Sequence, residues 1–160
     1  MRGFTALAEH LGPDQVVPLL NDFLSDEDFE RMLDAWFGNF AYAMEPGASF
    51  YIWGGYANCG NYPPVLKRCE LYFAQAIIWI KEHPVLTRKD FMGNHEWCFY
   101  GWKEGAAHQW YGPNNVPDVW PVKKLNHTAM VHLTEKPVEL AARAMQYSSL
   151  KGERVLDLFG

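Results

Sequence analysis

The sequence predicts a three-layer α/β domain. Two capped helical stripes, apolar runs of strand length between them, and turn residues at the junctions point there. Ser25 followed by Asp26, Glu27 and Asp28 supplies an N-cap and acids for a first helical turn. Phe29, Leu33, Trp36, Phe37 and Phe40 then recur at three- and four-residue spacing as one apolar stripe. Pro46-Gly47 closes that helix. Ala48 to Trp53 is aromatic and β-branched and reads as a strand, ended by Gly54-Gly55.

Pro63-Pro64 opens a helix expected from Val65 to about Phe73. Ala76 to Lys81 is nearly all apolar, which predicts a strand covered on both faces. A polar loop is expected from Glu82 to Asn94, then a third strand from Glu96 to Trp102. Residues 103–118 are rich in Gly, Asn and Pro and read as loop. Val119 to Lys124 is expected at a sheet edge, because Pro121 lacks the N–H that a central strand must donate. Pro137 opens a last helix to about Ser148, and Lys151-Gly152 turns the chain into a buried strand over Val155 to Phe159. Residues 1–20 take no assignment.

At 160 residues one domain with a sizeable core is the natural expectation. Hydrophobic residues at 49% and charged residues at 21% exclude wholesale disorder. Seven Trp, eight Tyr and ten Phe serve either a core of large side chains or a surface that stacks bases. A net charge of −5 argues against a protein that coats nucleic acid through phosphate contacts alone. The charge is uneven: residues 1–60 carry two Arg against nine acids (2 − 9 = −7), and residues 61–160 carry twelve cations against ten acids (12 − 10 = +2). A nucleic-acid face is therefore expected in the second part. Three cysteines without C-x-x-C spacing exclude a disulfide framework or a zinc knot, and no apolar run is long enough to span a bilayer. A reducing cytosol and no membrane partner are the expectation.

Few residues could carry chemistry. His95-Glu96 opens an H-E-x-x-H pattern, but Phe99 stands at the second histidine position, so no metal site is expected. No G-x-S-x-G elbow and no nucleophilic cysteine motif appear, which leaves hydrolysis unsupported. Val155-Leu156-Asp157-Leu158-Phe159-Gly160 places an acid and a glycine at the end of a strand. That is either an ordinary strand end or the start of a loop whose backbone N–H groups approach a cofactor. His132-Leu133-Thr134-Glu135-Lys136-Pro137 is either a capped helix start or a polar rim around a small ligand. Arg88 to Phe91 and Asn94 to Trp97 interleave polar and aromatic residues, as a solvated loop does and as a pocket for an extruded base does.

Taken in order, these segments resemble the β-type amino-group DNA methyltransferases. The resemblance rests on Phe50–Trp53, Ile78–Lys81, Leu86–Phe91, His95–Lys103, His132–Leu140 and Val155–Gly160, and covers about residues 21–160. It implies a partial Rossmann-like three-layer fold dependent on S-adenosyl-L-methionine. It also implies double-stranded DNA as substrate, a target base flipped beside the methyl group, and a place in restriction-modification. Asp157, Phe159 and Gly160 match the cofactor-binding strand and its glycine loop. Thr134, Lys136 and Pro137 match the second cofactor motif, usually His-Pro-Thr-x-Lys-Pro, with Leu133 in place of its first proline. Residues 103–131 fall where target-recognition segments lie.

The family's catalytic tetrapeptide, Asp-Pro-Pro-Tyr or Ser-Pro-Pro-Tyr, is expected just before Asn21-Asp22, and residues 1–20 contain no match. Catalytic residues are thus unassigned, and the 160 residues are expected to be inactive alone. Adenine N6 is the expected target ahead of cytosine N4. A homodimer or a completing polypeptide remains open, as does a non-catalytic DNA-binding or subunit-interaction module on the same fold.

Overall fold

The structure is a computed structural model that describes residues 24–55, 58–86, 90–124 and 136–158. In chain order its elements are α1 (Asp26–Ala43), β1 (Ser49–Gly54), α2 (Tyr62–Arg68), β2 (Leu71–Val85), β3 (Gly93–Lys103), β4 (Val119–Pro121) and α3 (Val138–Ser148). The strands form one sheet in the order β1-β3-β2-β4. β3 is antiparallel to both β1 and β2, and β4 is parallel to β2. β1, β2 and β4 therefore point the same way, with β3 reversed between β1 and β2.

Two apolar clusters lie against the sheet, one on each face. On one face Leu33, Phe37, Phe40 and Ala41 of α1 and Val65 and Leu66 of α2 meet Phe50, Leu71 and Phe99. On the other, Leu140 of α3 meets Ile77, Trp79, Cys98, Tyr100, Trp120 and Val122. Strand side chains alternate between faces, so Phe99 serves the first cluster while Cys98 and Tyr100 serve the second. Each large apolar side chain buried this way contributes about 1.5–3 kcal/mol. Tyr62 stacks on Phe99 with centroids 4.3 Å apart, and the Trp79 indole N–H donates to the Val122 carbonyl at 2.7 Å.

A β-bulge lets β2 feed both clusters. Phe73 pairs with Gly101 but Gln75 pairs with Tyr100, so Ala74 is an extra residue on β2. Because strand side chains repeat every two residues, one extra residue exchanges the faces. Leu71 and Phe73 thus pack toward α1 and α2, while Ile77 and Trp79 pack toward α3. At the bulge the Tyr72 carbonyl lies directly over Gly101, where a Cβ would overlap it and come within 2.7 Å of Phe50 Cζ.

The ends of α1 are held by side chains. The Ser25 hydroxyl accepts from the Asp28 N–H at 3.1 Å, as an N-cap should. At the other end the Lys103 ammonium, from the end of β3, donates to the carbonyls of Ala41 (2.7 Å) and Met44 (2.9 Å). This satisfies terminal carbonyls and puts a cation at the negative end of the helix dipole.

Four expectations change. The helix after Pro63-Pro64 stops at Arg68 rather than Phe73, because Glu70 takes a positive φ of 57° and turns the chain into β2. The second strand begins earlier and ends later than Ala76–Lys81, and the expected loop over 82–94 shrinks, with β2 reaching Val85 and β3 starting at Gly93. Beyond the pair Ile80–His95 the ladder is irregular and resumes at Val85–Gly93, which carries β2 through the polar stretch that periodicity alone assigns to loop. The edge strand ends at Pro121, short of Lys124. Finally, the stretch after Gly152 is not a buried strand: Val155, Leu156 and Leu158 are exposed. A buried strand needs neighbours for its N–H and C=O groups, and no described strand pairs with this stretch.

Gly101→Ala is expected to destabilise the domain by about 2 kcal/mol or more, since Tyr72 cannot yield without opening the ladder. Urea denaturation of the two proteins checks this, and an unchanged midpoint would contradict the bulge geometry.

Candidate functional site: a charged cleft at the strand ends

The carboxyl ends of β1 and β2 and the start of β3 open onto a cleft of about 310 Å³. Open α/β sheets place ligands at this end of their strands. Trp53, Gly54 and Gly55 line it from the end of β1, Lys81 and Val85 from β2, Gly93, His95 and Glu96 from β3, and Lys136 from the entry to α3.

Glu96 organises the charge. Its Oε1 meets the Lys81 ammonium at 2.6 Å and its Oε2 meets the Lys136 ammonium at 3.2 Å. Trp79 pairs with Glu96 across the hairpin, which makes Lys81 a diagonal neighbour of the carboxylate. Lys81 is only 10% exposed, and its ammonium also lies 5.1 Å from the centroid of the Trp79 ring. Burial pushes the Glu96 carboxyl up, but hydrogen bonds and charge from Lys81 and Lys136 outweigh it and hold the group below the usual carboxylate range. Two cations around one anion leave the cleft with a net charge of 2 − 1 = +1 from these groups. Such a site favours an anionic ligand.

α3 begins beside it. Its N-cap is Pro137, which makes no side-chain capping bond, and the Leu140 N–H donates to the Pro137 carbonyl at 3.0 Å. Among the described residues no group of three His, Cys, Asp or Glu side chains could hold a metal ion.

Of the residues singled out from sequence, Lys136 lines the cleft and the buried Pro137 starts α3 beside it. Asp157 lies in the exposed stretch beyond α3 and is not among the lining residues. Thr134, Phe159 and Gly160 lie outside the described residues, and so does part of the 103–131 segment. Residues 104–118 run along the α3 face. There His108 stacks on Trp102 at 3.9 Å, Trp110 meets Tyr147 at 5.3 Å, and the Tyr111 N–H donates to the Tyr147 carbonyl at 2.8 Å. Sequence reasoning assigned no role to Lys81 or Glu96. The available signal was a lysine ending an apolar strand, with a glutamate near its cross-strand position.

The DNA methylase model of the N6/N4 type matches residues 19–160. The chain belongs to the DNA methylase family. Two solved structures are similar to it in fold. The M1.HpyAVI–SAM complex matches with a TM-score of 0.59 and 17% identity, over 74% of this chain and 60% of that one. M1.HpyAVI matches with a TM-score of 0.61 and 14% identity, over 79% of this chain and 61% of that one. The chain thus spans about three-fifths of the length of either structure. No curated protein matches it. The fold is the Rossmann-like fold of the S-adenosylmethionine-dependent methyltransferases, with helices on both faces of a mixed sheet. Among the described residues of this DNA methylase no helix is long and apolar enough to cross a membrane.

Glu96→Gln is expected to remove the counter-charge of the buried Lys81 and to cost about 2 kcal/mol near neutral pH. The folded-state pKa is depressed, so this contribution is full above the ordinary carboxylate pKa and is lost as pH falls through the lower folded value. Thermal melts of both proteins should therefore differ at pH 7 and converge in strong acid. A gap that widens on acidification would contradict the assignment.

Proposed function

We propose that this DNA methylase sequence belongs to an enzyme that transfers a methyl group from S-adenosyl-L-methionine to an exocyclic amino group of DNA, with adenine N6 as the target. One observation carries the reading: the lysine that matches the family's second cofactor motif, Lys136, stands in a cationic cleft at the carboxyl ends of the strands.

The fit of the cofactor divides in two. Its carboxylate suits the Lys136 ammonium and the positive end of α3, which begins two residues later. Its adenosine end has no counterpart among the described lining residues, which do not include the exposed Asp157. When bound, the cofactor supplies an electrophilic methyl on a sulfonium. The chain's own residues would anchor its anionic end, offer Trp53 and the Gly54-Gly55 backbone as walls, and hold the Lys81 and Lys136 ammonium groups in position through Glu96.

No Asp-Pro-Pro-Tyr or Ser-Pro-Pro-Tyr occurs in the 160 residues, so we assign no catalytic residue and propose that they transfer no methyl group by themselves. The alternative reading is a DNA-binding or subunit-interaction module derived from the same fold. DNA as partner, restriction-modification as setting and a cytoplasmic location follow from the family likeness and belong to this proposal. A homodimer or a completing polypeptide would fit it equally.

Calorimetry with S-adenosylmethionine should show binding that Lys136→Ala weakens roughly tenfold, as loss of a charge-assisted contact does. Labelled cofactor should yield no methylated DNA with the 160-residue chain. DNA binding without cofactor binding would select the module reading, and methyl transfer by the chain alone would overturn the assignment of inactivity.

A further inference from the structure

The α3 face of the sheet carries a second hollow, nearer the amino end of β2, that shares no lining residue with the charged cleft. Five of its rings meet in an unbroken chain: Trp110 with Tyr147 (5.3 Å), Tyr147 with Trp120 (6.2 Å), Trp120 with Tyr51 (6.5 Å) and Tyr51 with Tyr100 (4.9 Å). Neighbouring planes lie at 34° to 74° to each other, so the rings form a cup and not a stack. The hollow measures about 40 Å³, room for roughly two or three waters or for a head group of a few atoms. Three of the rings have their polar atoms engaged. The Trp110 indole N–H donates to the Pro113 carbonyl, that of Trp120 donates to the Pro117 carbonyl, and the Tyr51 hydroxyl bonds the Ser148 hydroxyl. Tyr100 differs: it is 7% exposed, and its buried hydroxyl has no hydrogen-bond partner. Such a group calls for something to fill the space beside it.

We propose that this cup binds a primary alkylammonium ion, with its charge against the rings and Asp118 and an N–H donated to the Tyr100 hydroxyl oxygen. The charge follows from the lining. Aromatic faces are negative, the exposed Asp118 adds a carboxylate at the rim, and no described lining residue carries a cation. An anion would be repelled there, and an apolar group would leave the Tyr100 hydroxyl unpaired. A quaternary ammonium has the charge but no N–H to donate, so the hydroxyl selects an ammonium that keeps its hydrogens. Trp120 already draws one cation: the Arg143 guanidinium, held by Glu139, lies 5.8 Å from its ring centroid without lining the hollow. The site is independent of the methyl-transfer reading, since it uses none of the residues assigned to the cofactor.

The test titrates the 160-residue chain with methylammonium chloride and follows the indole N–H signals of Trp110 and Trp120 by NMR, with sodium chloride at equal ionic strength as control. Both signals should shift saturably. Tetramethylammonium should bind roughly tenfold more weakly, the scale of one hydrogen bond to a charged group. Tyr100→Phe should erase that difference between the two cations, and without ligand it should melt no lower than the parent, because it removes only an unpaired hydroxyl. Trp110→Leu, at a partly exposed position, should weaken both cations together. Nα-acetyl-lysine amide separates the sources of such a head group: binding like that of methylammonium supports a lysine side chain of a partner, and exclusion supports a free amine. Shifts that sodium chloride reproduces would leave the hollow to water and overturn the proposal. So would a preference for methylammonium that survives Tyr100→Phe, or a lower melting temperature for that variant, which would show the hydroxyl already paired.

Discussion

Between Phe73 and Gln75 the β2 chain carries one residue more than β3 opposite it, and this offset decides which face each later side chain of β2 meets. Without it, Ile77 and Trp79 would follow Leu71 and Phe73 toward α1 and α2, and the α3 face would lose its two largest contributions from this strand. The offset needs Gly101, because the Tyr72 carbonyl occupies the place of a Cβ there. One missing side chain on β3 thus permits a single long strand to build two cores. It also sets the parity of the rest of β2, placing Lys81 on the same face as Glu96 at the cleft.

The cleft inherits its chemistry from that parity. A lysine as buried as Lys81 is costly unless paired, and the diagonal neighbour across the hairpin supplies the carboxylate. Because Glu96 has two oxygens, it can also hold Lys136 and so tie the entry of α3 to the sheet. The pairing therefore does two jobs: it compensates a buried cation, and it anchors the residue that leads into α3 at the place where strands end.

Much of the fold was legible in the sequence because local chemistry decided it. Ser25 and the three acids after it, the stripe Phe29 to Phe40, and Pro137 before Val138 each act within a few residues, and the corresponding helices form as expected. Features that depended on partners were not legible. The reach of β2 to Val85 comes from the pairing of Val85 with Gly93 of β3, and the end of α2 comes from a backbone conformation at Glu70 that composition does not announce. Val155 to Leu158 has the composition of a buried strand, but composition cannot supply a neighbour to pair with. At the site, Lys136 was found through a motif. Lys81 and Glu96 become a pair only once the hairpin register, set by the bulge, is known.

Cys98 has a further consequence in terms of reactivity. It sits in the middle of β3 beneath α3, fully buried, and burial pushes its thiol up, away from the thiolate that oxidants and alkylating reagents attack. A reagent can meet it only when the ladder between β1, β3 and β2 opens, so its rate of modification is tied to the free energy of opening the core. Cys59 and Cys69 are half-buried, and smaller motions suffice to expose them. The three thiols therefore act as internal reporters at two depths, separating local breathing of the surface from loss of the sheet itself.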